Sequence, residues 1–378
     1  MKLALVSDAL DPTNGWGHHA VQVARGLIAR GVDVRLVSPR AQAAVPDLRA
    51  FPDQADIPSF QQGVRHPVRL LLAALPRLRA AFRGADAVHV IVEPYAPAAV
   101  LAAGRRPVFV SLAGTYARPS SRPGVEGLLL RWALGRARRL IPVSRYTAAR
   151  VAADTGFTHL TVVPHGINAS EFQLVAPPPR EPGLLVSVGE VKPRKGYALA
   201  IEALATVRAR VPHARYTIVG GFRADAPYVQ ALRRQIDALG LARAVEFAGH
   251  VAHAEKLRLY HRAAALVMPY REAGGDVEGF GLVLLEAGAC GLPVISARDS
   301  PAVESVDDED NGLLVDPCTP AAVAEALVRV LTEPALAARL AEGGRRRAAA
   351  MTWDRAVRQL LDAYAGVLGT PLAPERAV

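Results

Sequence analysis

Two carboxylates, Glu278 and Glu286, bracket the turn Gly279-Phe280-Gly281 and the apolar run Leu282-Val283-Leu284-Leu285. A glycine turn that opens an apolar helix presents free backbone N–H groups and the positive end of the helix dipole. Both suit a phosphate. Glu278 lies before the turn, and Glu286 follows Glu278 by eight residues, the length of about two helical turns. Carboxylates accept hydrogen bonds from sugar and ribose hydroxyls, so the pair can hold opposite ends of one extended ligand. A basic cluster, Lys192-Pro193-Arg194-Lys195-Gly196, follows an apolar strand-like run and precedes a helical pattern. It can neutralise a departing diphosphate without a metal.

The stretch from Glu278 through Val294-Ile295 resembles the Glu-x7-Glu motif of the family 4 retaining glycosyltransferases, which have the GT-B fold. The resemblance implies that Glu278 holds the donor sugar and Glu286 the nucleotide ribose. It also implies that the amides of Gly279, Phe280, Gly281, Leu282 and Val283 meet the diphosphate. Lys195-Gly196 is similar to the end of the family's Gly-Arg-x5-Lys-Gly phosphate element. Glu190 stands at the usual Arg position, and Arg194 is expected to supply that charge. Glu278, Lys195 and Arg194 are therefore the expected catalytic residues. Gly220, after a strand, and the loop Gly249-His250 resemble the donor-side turns near the nucleotide. Base contacts there are mostly backbone, which suits a UDP or a GDP donor alike.

The first half carries a looser match. Gly15-Trp16-Gly17-His18-His19 resembles the family's glycine-rich loop, placing Gly15, Trp16 and Gly17 near the donor and His18 and His19 on the acceptor side. Trp16 can stack on a sugar or pack against its own loop. Either histidine reads equally as a helix-start residue. Gly114-Thr115-Tyr116 is the other acceptor-side segment. Ala113 stands there where the family commonly has a His. Pro164-His165-Gly166-Ile167-Asn168 is similar to the turn that closes the first domain. Asn311-Gly312-Leu313-Leu314-Val315 matches a late turn and short strand.

The elements that must position these residues alternate between strand and helix, so the fold class is α/β with parallel, doubly wound sheets. Strands are expected at residues 3–7, 32–37, 87–92, 107–112, 140–143 and 160–163. After Pro177, Pro178, Pro179 and Pro182 the pattern restarts, with strands at 184–188, 216–219, 245–247, 264–268 and 294–296. The expected organisation is a Rossmann-like acceptor domain over 1–170, a proline-rich linker over 171–182 and a nucleotide-sugar domain over 183–352. A helix and tail over 353–378 cross back to the first domain. GT-B architecture implies two Rossmann-like domains facing each other across a cleft. Ligands of such sheets bind beyond the carboxyl ends of the strands.

Composition bounds the rest. Apolar residues make up 51% and aromatics only 6%, so the cores are built from Ala, Leu and Val. The apolar run after Lys2 is too short for a signal core and reads as a strand. No window suggests a transmembrane helix. Cys290 and Cys318 lack metal spacing, which fits a reduced, cytoplasmic chain. Residues 1–170 hold 21 Lys+Arg against 10 Asp+Glu, so the net charge of +10 belongs to the first half. Arginines interleaved with leucines over 65–83, and again over 122–145, suit an anionic membrane surface. Nucleic acid fits poorly because aromatic residues are not interleaved with these arginines. Asp308-Glu309-Asp310 has the form of a metal motif but reads as an acidic turn, and no tightly bound metal is expected.

The function implied is metal-independent, retaining transfer of a hexose or pentose from a nucleotide-diphosphate sugar to a hydroxyl of a glycan, lipid-linked or small-molecule acceptor. A GT-B nucleotide-sugar epimerase and a non-catalytic sugar-nucleotide-binding relative keep the same donor residues. Ala113 and Glu190 leave those readings open.

Overall fold

The computed structural model describes residues 1–10, 15–39, 54–60, 67–114, 117–119 and 124–369. The chain divides into two compact units: residues 1–166 with the chain from Trp353 onward, and Ile167–Thr352.

In the first unit, strands β1 (Lys2–Val6), β2 (Asp33–Val37), β3 (Gln54–Ala55), β4 (Ala87–Val90), β5 (Val108–Leu112) and β6 (Arg139–Pro142) form one sheet. Its order is β3-β2-β1-β4-β5-β6, and every pairing is parallel. Strands β4 and β5 are buried along their whole length, as parallel strands with both faces covered must be. The covering helices are α1 (Gly15–Ile28), α2 (Pro67–Ala81), α3 (Ala96–Ala103), α4 (Val125–Arg136) and α5 (Arg145–Thr155). Ser144 caps α5, accepting from the Thr147 N–H at 2.9 Å.

Residues 160–163 form no strand. They make one bridge, Leu140 to Leu160, with Thr161 N–H donating to Leu140 O and Val163 N–H to Pro142 O. The reason lies in β6: Pro142 has no N–H, so the ladder cannot be reciprocated past Leu140.

In the second unit, β7 (Leu184–Val188), β8 (Arg215–Val219), β9 (Val245–Gly249), β10 (Ala265–Met268), β11 (Val294–Ala297) and β12 (Gly312–Val315) form a parallel sheet. The order is β12-β11-β10-β7-β8-β9. Around it lie α6 (Tyr197–Arg210), α7 (Pro227–Ala238), α8 (His253–Arg262), α9 (Leu282–Ala289), α10 (Pro320–Thr332) and α11 (Pro334–Ala350). The segment 171–182 is anchored rather than free. The Arg180 guanidinium donates to Ala263 O and Gly291 O, each at 2.6 Å, and to Cys290 O at 3.0 Å. The chain enters and leaves this unit side by side, with Ile167 N–H donating to Met351 O at 2.8 Å.

The last helix, α12 (Trp353–Leu368), belongs to the first unit and packs on α1. Gly26 allows their contact: a Cβ there would meet Val357 Cγ2 at 2.5 Å. Tyr364 reaches the sheet, where its hydroxyl lies 2.6 Å from Nδ1 of His89, whose Nε2 lies 2.9 Å from Ser111 Oγ. In each sheet the strand order reverses at a central pair, β1 with β4 and β7 with β10. The loops leaving the carboxyl ends of such a pair diverge, and a ligand crevice opens there.

Candidate functional site

The loops leaving β7 and β10 meet at the carboxyl edge of the second sheet. After β7 the chain makes a short 3-10 turn, Pro193–Lys195, and Gly196 adopts a left-handed conformation with φ 77° before α6. A Cβ on Gly196 would lie 2.0 Å from Pro269 O, so only glycine lets this loop abut the start of the loop after β10. The Arg271 N–H donates to Arg194 O at 3.0 Å and locks the two loops together. The later loop ends at Gly281, also left-handed with φ 85°, immediately before α9, and no side chain caps that helix start. Its first amides are thus available to an anion.

Glu278 sits where these loops converge. Its Oε2 lies 2.8 Å from Lys195 Nζ and 3.4 Å from Arg194 Nε. The three side chains are only 10–20% exposed. Burial pushes the Glu278 carboxyl up, but the Lys195 ammonium and the Arg194 guanidinium outweigh it and hold the group below the ordinary carboxylate range. Lys195 Nζ also lies 5.2 Å from the centroid of Tyr270, within cation–π reach. The Tyr270 hydroxyl is buried without a hydrogen-bond partner among the described residues.

Glu286 projects from α9 toward α8. Its Oε2 accepts from Lys256 Nζ at 2.9 Å and from the Tyr260 hydroxyl at 2.8 Å. Glu190, in contrast, points outward, 60% exposed, and pairs with Lys192 at 2.9 Å. Arg194 is therefore the guanidinium beside Glu278, and Glu190 takes no part in that cluster. The ends of β7, β8 and β9 are laced by Gly189 N–H to Val219 O and Gly220 N–H to Gly249 O, both 2.8 Å. A Cβ on Gly220 would lie 2.1 Å from Gly189 O. His250 is exposed beside Gly221. Phe280 is buried, and Leu282 and Val283 form the first turn of α9.

The residues singled out in the first unit have mixed surroundings. Gly15 is exposed at the start of α1, Trp16 packs partly on the core, and Gly17 is buried. The ring of His18 lies 5.6 Å from Trp353. His19 is buried in a cluster of rings, 4.4 Å from His165 and 5.9 Å from Trp353. Burial, then the neighbouring His18, lower its pKa to about 3. It is a neutral packed ring rather than an open side chain. Gly114 is buried with φ 117°. Thr115 and Tyr116 fall outside the described residues, as do Arg65 and Arg122. Ala113 donates its N–H to Glu93 Oε1 at 2.6 Å.

Three functional candidates escaped the sequence reading: Lys256, Tyr260 and Tyr270. Lys256 and Tyr260 lie four positions apart on α8, a helix without an obvious sequence signal, and only the tertiary fold sets them against α9. The acidic turn is occupied by arginines. Asp308 pairs with Arg298, Glu309 with Arg329 at 2.9 Å and Arg339 at 3.2 Å, and Asp310 with Arg346 at 2.8 Å. Among the described residues, no group of three His, Cys, Asp or Glu side chains could hold a metal ion. No described helix is long and apolar enough to cross a membrane.

Two parallel six-stranded α/β units, with a phosphate-type helix start framed by two carboxylates, are features of the GT-B glycosyltransferase class. Residues 171–347 match the family model Glycosyl transferases group 1, and residues 13–171 match Glycosyltransferase Family 4. The chain is 31% identical over 368 residues to the GDP-mannose-dependent alpha-(1-6)-phosphatidylinositol monomannoside mannosyltransferase of Mycolicibacterium smegmatis. That alignment covers 91% of this chain and 92% of the relative. The glycogen synthase of Mycobacterium tuberculosis is 36% identical over 194 residues, 51% of this chain and 44% of that one. Among solved structures, sucrose-phosphate synthase from Thermosynechococcus elongatus superposes with TM-score 0.79 at 23% identity, over 98% of this chain and 99% of that one. Anabaena HepE in complex with UDP and glucose gives TM-score 0.76 at 19% identity, over 97% and 99%. These structural likenesses establish the GT-B fold. The chain belongs to the family 4, group 1 glycosyltransferases and is a nucleotide-sugar-dependent glycosyltransferase.

Proposed function

We propose that the chain is a retaining mannosyltransferase that moves mannose from GDP-mannose to a hydroxyl of a lipid-linked acceptor. The relative aligned over nearly its whole length carries that donor and a phosphatidylinositol mannoside acceptor in its name. One observation carries the assignment of the site: Lys195 and Arg194 share Glu278 at the uncapped start of α9. An anion arriving there meets two cations and free amides, and the carboxylate it displaces is freed to bind a sugar hydroxyl.

In this reading Glu286 holds the ribose, Glu278 orients the sugar, and the diphosphate lies against Lys195, Arg194 and the amides of Leu282 and Val283. The bond between C1 and the β-phosphate oxygen breaks while the acceptor oxygen bonds C1 on the same face. The acceptor proton passes to the departing phosphate oxygen. The negative charge that develops on the diphosphate is met by fixed cations and amides. The donor therefore belongs to the second unit.

The first unit also has a surface suited to an anionic membrane. Leu72 on α2, with Val125 and Leu128 on α4, are 58–70% exposed. Arg69, Arg77, Arg79, Arg131 and Arg136 are exposed on the same helices, and α3 packs against both. Apolar side chains among arginines match a lipid surface bearing anionic headgroups.

A thermal-shift panel of nucleotide sugars tests the donor, since a ligand that binds only the folded state raises the melting temperature. GDP-mannose is expected to give the largest rise. A larger rise with UDP-glucose would overturn the donor assignment while leaving the family intact.

A further inference from the structure

Glu286 is held from one side only. Lys256 and Tyr260, one turn apart on α8, both bond its Oε2, at 2.9 and 2.8 Å. Its Oε1 has no partner among the described residues. We propose that Lys256 and Tyr260 are positioning residues for donor binding: they clamp one oxygen of Glu286 so that the other accepts from the ribose hydroxyls of the nucleotide. This rests on the reading of Glu286 as the ribose carboxylate.

The clamp is built to be rigid. Tyr260 is fully buried, and burial, followed by the Glu286 charge, keeps its phenol protonated and donating. The Lys256 ammonium lies 5.8 Å from the centroid of Phe172 and 5.9 Å from that of Tyr260, so two aromatic faces limit its movement. Helix α8 is itself fastened at its far end. The Arg180 guanidinium donates to Ala263 O, and His261 Nε2 lies 3.0 Å from Phe172 O. A free glutamate would lose rotamer freedom on binding a hydroxyl. Here that loss is incurred in folding, before the nucleotide arrives. Lys256 also sets a positive charge 2.9 Å from the carboxylate on the side away from the open oxygen, and a carboxylate is a strong acceptor for a ribose hydroxyl.

The test compares GDP with 2′,3′-dideoxy-GDP by calorimetric titration of the full chain. The wild type is expected to prefer GDP by about tenfold, the worth of a hydrogen bond to a charged group. Lys256→Met and Tyr260→Phe should each shrink that preference to about two- to threefold by weakening GDP alone. Lys256→Arg should restore it. Equal weakening of both nucleotides, or an unchanged preference in both variants, overturns the clamp. Glu286→Ala separates this from the underlying reading. If Glu286→Ala abolishes the preference while the α8 variants keep it, the clamp fails and the ribose assignment stands. If Glu286→Ala keeps it, the ribose assignment itself fails.

Discussion

Burial alone would push Glu278 toward its neutral form, and two cations reverse that. The sequence departs from the family pattern at Glu190, and in the structure Glu190 turns to solvent with Lys192 while Arg194 lies beside Glu278. Side chains this different in burial should respond differently to truncation. Arg194→Ala is expected to raise the donor KM by about tenfold, the loss of one charge-assisted contact. Glu190→Ala is expected to stay within about twofold. Steady-state kinetics in donor concentration checks both, and equal effects would return Glu190 to the site. Glu278, Lys195 and Glu286 were legible because their motif is local: glycines, charges and an apolar run lie in one stretch of chain. Lys256, Tyr260 and Tyr270 were not, because their meaning comes from contacts between elements distant in sequence.

At the scale of elements, strand–helix alternation was legible because each parallel strand is a short apolar run bounded by turns. What failed was a ladder. Residues 160–163 have a strand's composition but meet Pro142, which cannot donate. The proline-rich segment has no regular period, yet Arg180 fastens it to four backbone carbonyls, a contact no pattern encodes. The first unit also carries a pH liability. His19 and His89 are buried with pKa lowered to about 3, burial being the main cause in both. His165 is likewise lowered by burial. The unfolded chain takes up these protons near pH 6.5 and the folded chain does not. Stability is therefore full above about pH 6.5 and falls as pH drops toward the folded values, by about 1.4 kcal/mol per pH unit for each histidine. Thermal melts should show a lower melting temperature at pH 5 than at pH 7.5. Replacing His89 by Gln should flatten the slope, and an unchanged slope would contradict this origin.

Across the whole molecule, the positive charge of the first half and the exposed leucines of α2 and α4 fall in the same unit. Binding to vesicles containing anionic lipid should therefore be strong at low salt, weaken as salt rises, and be weak for vesicles of neutral lipid. Leu128→Glu should reduce it severalfold without changing the melting temperature, because Leu128 is 70% exposed. Co-sedimentation reads both, and lipid-independent behaviour would confine the arginines to solubility. The central claim concerns the other unit: a nucleotide-sugar site in which Lys195 and Glu278 act on the donor. The most direct measurement is the rate of sugar transfer from GDP-mannose by wild type, Glu278→Ala and Lys195→Ala, with folding of each checked by its melting curve. Both variants should fold and lose transfer by at least about a hundredfold. Folded variants that both transfer at the wild-type rate would contradict the account.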